Sequence, residues 1–149
     1  MEADGVEGRR DLGLLVLRLG VGVMFVVVHG GPKLFGGPER WSAIGAAMGS
    51  LGIHAFPVVW GFLAAASECV GGLCLMLGLF VRPAACFMAM TMAVAATMHL
   101  TKGDGIQTAS HAIEAGIVFV SLLLIGAGRY TVPRVLSRPP DYPHYTLPS

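Results

Sequence analysis

From Phe56 to Phe80 the chain is apolar and long enough to cross a bilayer, and it carries a single charge, Glu68, near its middle. A carboxylate at that depth costs roughly 2.5–3.5 kcal/mol on insertion scales, so it must face protein and meet a partner. Gly61, Ala64, Ala65, Glu68, Gly71 and Gly72 follow i, i+3, i+4 spacing. Rows of small residues bring helices close together in membranes, and this row points Glu68 at a neighbouring helix.

Three more segments have the same character. Leu12–His29, Pro83–Leu100 and Ala112–Gly128 join Phe56–Phe80 as apolar stretches of about 17–25 residues, the length a hydrocarbon core of about 30 Å demands. Only 13% of the 149 residues are charged, 54% are hydrophobic and the mean hydropathy is +0.70. The fold class is therefore all-α: one four-transmembrane-helix bundle spanning residues 1–149, with tails at 1–11 and 130–149. Arg9-Arg10 ahead of an apolar run imitates a signal peptide, but Arg18 interrupts that run and no small-x-small cleavage site follows His29.

Lysine and arginine orient the bundle. With both termini on one side, that side collects Arg9, Arg10, Arg82, Arg129, Arg134 and Arg138, against Lys33, Arg40 and Lys102 opposite. The positive-inside rule makes the termini cytoplasmic, puts the Gly30–Ala55 and Thr101–Ser110 loops outside, and leaves Val81-Arg82-Pro83 as a tight turn. Within the first outer loop Trp41, Ile44, Met48 and Leu51 share one face of a short helix. It either lies on the membrane surface or packs on the bundle.

Polar residues inside the spans fall into stripes. Arg18, Gly22, Phe25 and His29 share a face of the first helix, Ala85, Met88, Met92 and His99 one of the third, and His111, Glu114, Val118 and Ser121 one of the fourth. Counting residues along the helices puts Arg18 and Glu68 at nearly the same depth, which predicts an ion pair. It would either fix helix register or belong to a proton or ligand path. His29, His99, His111 and Glu114 gather towards the outer face, with Lys33 and Lys102 just beyond, and could line a polar mouth.

Other chemistries lack support. Cys69, Cys74 and Cys86 form no CxxC, Met88, Met90, Met92 and Met98 share no single face, and His111-x-x-Glu114 reverses the Glu-x-x-His order of di-iron bundles. No metal site and no intrinsic cofactor are expected. No phosphate loop, nucleophile elbow, dinucleotide fingerprint or nucleic-acid patch is present.

The order Arg18-Leu-Gly-Val-Gly, His29-Gly, Lys33-Leu-Phe-Gly36, Glu68 with Gly71-Gly72, Leu77-Gly78-Leu79, Arg82-Pro-Ala-Ala, His99, Glu114 and Gly126-Ala-Gly-Arg129-Tyr130 resembles the DoxX family of bacterial four-helix membrane proteins. Ala127 stands where the family's terminal motif has proline, and Thr131-Val-Pro133 replaces its Ser-Leu-Asp ending. The resemblance implies a bacterial plasma-membrane protein tied to sulfur-redox or oxidative-stress complexes. Relatives include the small membrane subunit of an archaeal thiosulfate:quinone oxidoreductase, and distant similar folds act as assembly chaperones or cargo receptors. A quinone-interacting subunit is the leading expectation, with His29, Lys33, Glu68, His99, His111 and Glu114 as ligand- or proton-handling candidates. Its partners would be the lipid bilayer, a quinone, and a redox subunit or further copies of the chain. A membrane chaperone or scaffold is the alternative, and a small-solute or proton transporter a third reading.

Overall fold

The computed structural model describes residues 2–137. Residues 138–149 of the expected C-terminal tail, Arg138 among them, lie outside the described residues. Helix α1 (Glu2–Met24) continues through a π turn (Phe25–Gly30) into α2 (Gly31–Leu34), so the first crossing runs from Gly5 to Leu34 without a break. Helix α3 (Gly37–Gly45) and a 3-10 turn (Ala46–Leu51) follow, then α4 (Pro57–Leu77), α5 (Val81–Lys102), α6 (Gly105–Ile125) and the short α7 (Val132–Leu136). Four of these helical stretches are long and apolar enough to span a bilayer. Lipid-facing apolar side chains such as Val27, Val59, Phe87, Ile117 and Leu124 stay exposed, as in a bundle solvated by hydrocarbon.

The boundaries shift from the sequence reading: α1 already begins at Glu2 within the expected tail, α6 ends at Ile125 and not Gly128, and three further shifts bear on the site. The first span does not stop at His29. Pro32 lacks an N–H, so the helix widens ahead of it: Gly31 N–H bonds Val26 O, a reach of five residues, and the helix then carries Lys33 as its last basic residue. Thr101–Ser110 is not a loop, because α5 ends at Lys102 and α6 begins at Gly105. The connection on the other face is Gly78–Phe80, with Gly78 and Phe80 both left-handed, while Arg82 and Pro83 open the first turn of α5.

Helix α4 is the hub, touching α1, the π turn, α2, α3 and α5. Its small residues explain why. A Cβ on Gly72 would lie 2.9 Å from Gly22 O, and one on Gly30 would lie 2.3 Å from Cys69 N, so α1 and α4 touch through glycine backbones. On the α5 side, Gly71 leaves room for the Met88 side chain, and Ser67 Oγ meets Thr91 Oγ1 at 2.7 Å.

The helix of the first loop packs on the bundle. A Cβ on Gly61 would fall 1.7 Å from Trp41 O and one on Gly45 1.8 Å from Pro57 O, leaving no space for a side chain where α3 crosses α4. Trp41 adds an edge-on contact to Phe62, with ring centroids 5.0 Å apart, and donates Nε1–H to Lys33 O at 3.0 Å. That last bond ties α3 to the residue that meets Glu68.

The core runs through Leu14, Phe25, Leu75, Ala85, Met88, Met92, Phe119 and Leu122. The inward stripes of the first three spans are therefore the expected ones. On α6 the buried face is instead Ala109, Ala112, Phe119 and Leu122, while His111 and Glu114 are exposed. Small and large apolar residues, not polar ones, face inward there, because α6 packs its alanines against α5.

Candidate functional site

Two charged side chains inside the bundle are almost wholly buried, Arg18 at 0% and Glu68 at 1% exposure. They do not pair. Each helical side chain leans towards the N-terminus of its own helix, and α1 and α4 are antiparallel, so the two heads diverge from a common level. Arg18 reaches towards the end where α1 begins, and Glu68 towards the end where α4 begins.

Glu68 meets Lys33 there. Lys33 also leans back along its helix, which carries the ammonium inward from the helix end, and Nζ donates to Oε1 and Oε2 at 2.7 Å each. The carboxylate side chain is 2% exposed and the lysine 27%, so the pair is closed below and open above. A short, two-pronged charge-assisted contact of this kind is what makes a carboxylate tolerable at such depth.

Beside the pair stands an aromatic column. The His29 and His111 rings stack at 4.9 Å and 27°, Phe25 lies 5.1 Å from His29, and Phe25 meets Phe119 edge-on at 4.9 Å. His29 and Phe25 come from the π turn, His111 and Phe119 from α6, so these rings bridge the first and last spans. Lys33, Glu68 and His111 all lie within electrostatic reach of His29. Four of the six sequence-chosen candidates, His29, Lys33, Glu68 and His111, thus form one cluster.

The other two do not join it. His99 Nδ1 pairs with Asp104 Oδ2 at 2.8 Å, closing the α5–α6 turn, where the Asp104 N–H also bonds His99 O. Glu114 sits on the exposed face of α6, with no ion-pair partner among the described residues. Phe119 is the residue that sequence reasoning left out; its place on the Ala109, Ala112, Phe119 and Leu122 face was the available signal.

Arg18 forms a second centre at the opposite end. Its guanidinium donates to Leu75 O in the last turn of α4, at 3.3 Å, and to Tyr130 O of the segment after α6. Helix C-termini present partial negative charge, which suits a cation that meets no carboxylate among the described residues. Gly78, at φ 69°, leaves room for this head group: a Cβ there would lie 2.4 Å from Nη1.

Among the described residues no three His, Cys, Asp or Glu side chains converge as a metal-ligand set. All three cysteines are free, Cys69 buried and Cys74 and Cys86 half-buried.

A family model for DoxX matches residues 13–100, more than half of the chain. The chain belongs to the DoxX family. The matched stretch carries Arg18, His29, Lys33, Glu68 and His99, so both buried charge centres of this DoxX protein rest mainly on residues within it. His111, Phe119 and Tyr130, which complete those centres from α6 and beyond, follow it in the chain. No curated protein and no solved structure matches the sequence. By its four apolar helices and its family, this is an integral membrane protein in contact with lipid.

Proposed function

We propose that this DoxX protein is the quinone-interacting membrane subunit of a redox complex, and that the quinone head group docks against His111 and the Lys33–Glu68 pair. The observation that carries this reading is the placement of a buried ion pair next to two stacked imidazoles on a floor of Phe25 and Phe119. Reducing a quinone takes two electrons and two protons and yields the quinol. Imidazoles exchange protons near neutral pH, and Glu68 can take up or release a proton while Lys33 fixes its position. The exposed face of His111 offers a flat surface and a ring nitrogen to an incoming carbonyl. Next to it on α6, Ala112 begins an apolar groove of 390 Å³ between α5 and α6, walled by Ala93, Ala96 and Gly116, which suits an isoprenoid tail. Electrons come from a partner subunit carrying a redox group.

Quinone extracted from gently purified protein, identified by mass, tests this. His111→Ala and the His29→Ala, His111→Ala double variant should lose at least about nine-tenths of the retained quinone at unchanged folded yield, as expected when a few polar groups orient an apolar ligand. Equal quinone content in wild type and double variant would sink the site. A scaffold recruiting another membrane protein is the second reading, favoured by the exposed Glu114 carboxylate within the α6 span. Retained quinone distinguishes the two, because a scaffold holds none.

The arginine asymmetry supports a plasma-membrane orientation with both termini in the cytoplasm. A thiol introduced at Ser50, after replacement of the native cysteines, should then react with a membrane-impermeant reagent added outside intact cells. Reaction only after the cells are opened would reverse the orientation.

A further inference from the structure

At the end of the bundle where α1 begins and α6 ends, a cavity of 650 Å³ opens among the first turns of α1, the α4–α5 turn and the segment after α6. Arg10, Arg82, Arg129 and Arg134 line it, brought together from these three parts of the chain, against Glu7 and Asp11. Asp11 is already engaged, its Oδ2 lying 3.6 Å from Arg129 Nε. Among the described residues that leaves Arg10, Arg82 and Arg134 facing one carboxylate, Glu7.

The walls are built rather than loose. Gly126 and Gly128 adopt positive φ, 85° and 72°, and turn the chain back over α1 as soon as α6 ends. A Cβ on Gly126 would lie 3.5 Å from Arg82 Nε, so the arginine lies along the glycine backbone. The Arg18 contact with Tyr130 O holds the far side of the segment. Arg82 occupies the first turn of the long helix α5, where the helix dipole also favours an anion. Planar guanidinium forks match phosphate oxygens in pairs, and several of them converging on one cavity select a phosphate over a simple halide.

Depth narrows the ligand further. Arg82 is the second residue of α5 and Arg129 follows the end of α6 by four, which puts the cleft at the level where phospholipid head groups sit. Basic pockets between helix ends on the arginine-rich side of a membrane hold anionic head groups. We propose that this cleft is a binding site for a phosphate group, supplied by an anionic phospholipid head group or by soluble phosphate.

The test uses the full chain in neutral detergent. Phosphatidylglycerol should raise the midpoint of thermal unfolding where phosphatidylcholine does not, and native mass spectrometry should show the anionic lipid retained. In Arg82→Gln, Arg134→Gln the apparent affinity should fall at least about tenfold, from two lost charge-assisted contacts. The single Arg134→Gln variant, altered only at an exposed position, should show a smaller loss of the same kind. A control with the same change in net charge outside the cleft, Arg9→Gln, Arg40→Gln, should respond as wild type. If inorganic phosphate at millimolar concentration gives the same stabilisation and the same variant pattern, the source is soluble phosphate. Equal responses of the cleft variant and the control, or no response to either probe, would overturn the proposal.

Discussion

Lys33→Met lowers the stability of the detergent-solubilised protein by about 3–5 kcal/mol, because it leaves the Glu68 carboxylate buried without its partner. Glu68→Leu is milder, since the orphaned ammonium at Lys33 is 27% exposed and can turn outward to water. The double variant Lys33→Met, Glu68→Leu recovers most of the loss, as two well-sized apolar side chains carry no desolvation cost. Unfolding in a mixed-micelle titration gives all three values, and the double-mutant cycle isolates the coupling. Additive losses in the double variant would show that the pair is not what holds α2 to α4.

The same three proteins separate structure from chemistry. If Glu68 only balances Lys33, the double variant keeps both its fold and its quinone. If Glu68 carries protons, the double variant folds but no longer supports quinone-linked turnover, because neither methionine nor leucine exchanges a proton. Stability and turnover then part company in one variant.

How much of this was legible from residues alone depends on which physical quantity the residues encode. Length and hydropathy define the four crossings, and the first three inward stripes follow from helical spacing. Gly61, Gly71 and Gly72 were readable as contact points because only glycine permits backbones to meet at such distances. The Lys33–Glu68 pair was hidden by two things. The first apolar stretch was closed at His29, whereas a π turn ahead of Pro32 carries Lys33 onward as helix. Counting depth by Cα position also ignored that side chains of antiparallel helices lean in opposite directions, which separates Arg18 from Glu68 and turns Lys33 inward. On α6 the polar residues were assumed to face the core, yet α6 buries Ala109, Ala112, Phe119 and Leu122. In a membrane both faces are apolar, so hydropathy does not mark the inner one, and side-chain size does.

Arg18→Met releases the segment that follows α6 from the end of the bundle. In the native protein the guanidinium joins Leu75 O of α4 to Tyr130 O, two acceptors far apart in sequence, and a charged hydrogen bond contributes about 1.5–3 kcal/mol. Global stability moves less than the sum of the two bonds, because methionine also removes the desolvation cost of a wholly buried guanidinium. Leu75 O keeps a second donor, the Gly78 N–H at 3.2 Å, so α4 itself does not fray. The loss therefore concentrates at Tyr130. Freeing that one anchor raises the population of the detached segment by about tenfold to a hundredfold, from the same 1.5–3 kcal/mol. Arg129 and Arg134 are exposed and flank the anchor, so limited trypsin digestion reports the change directly as faster cleavage at those two positions. Arg18→Lys falls between wild type and Arg18→Met, since a single ammonium cannot bridge both carbonyls as the fork does. Cleavage at the wild-type rate in Arg18→Met would mean that the Gly126 and Gly128 turn and the Arg129–Asp11 contact hold the segment without it, and that the buried arginine serves some other purpose.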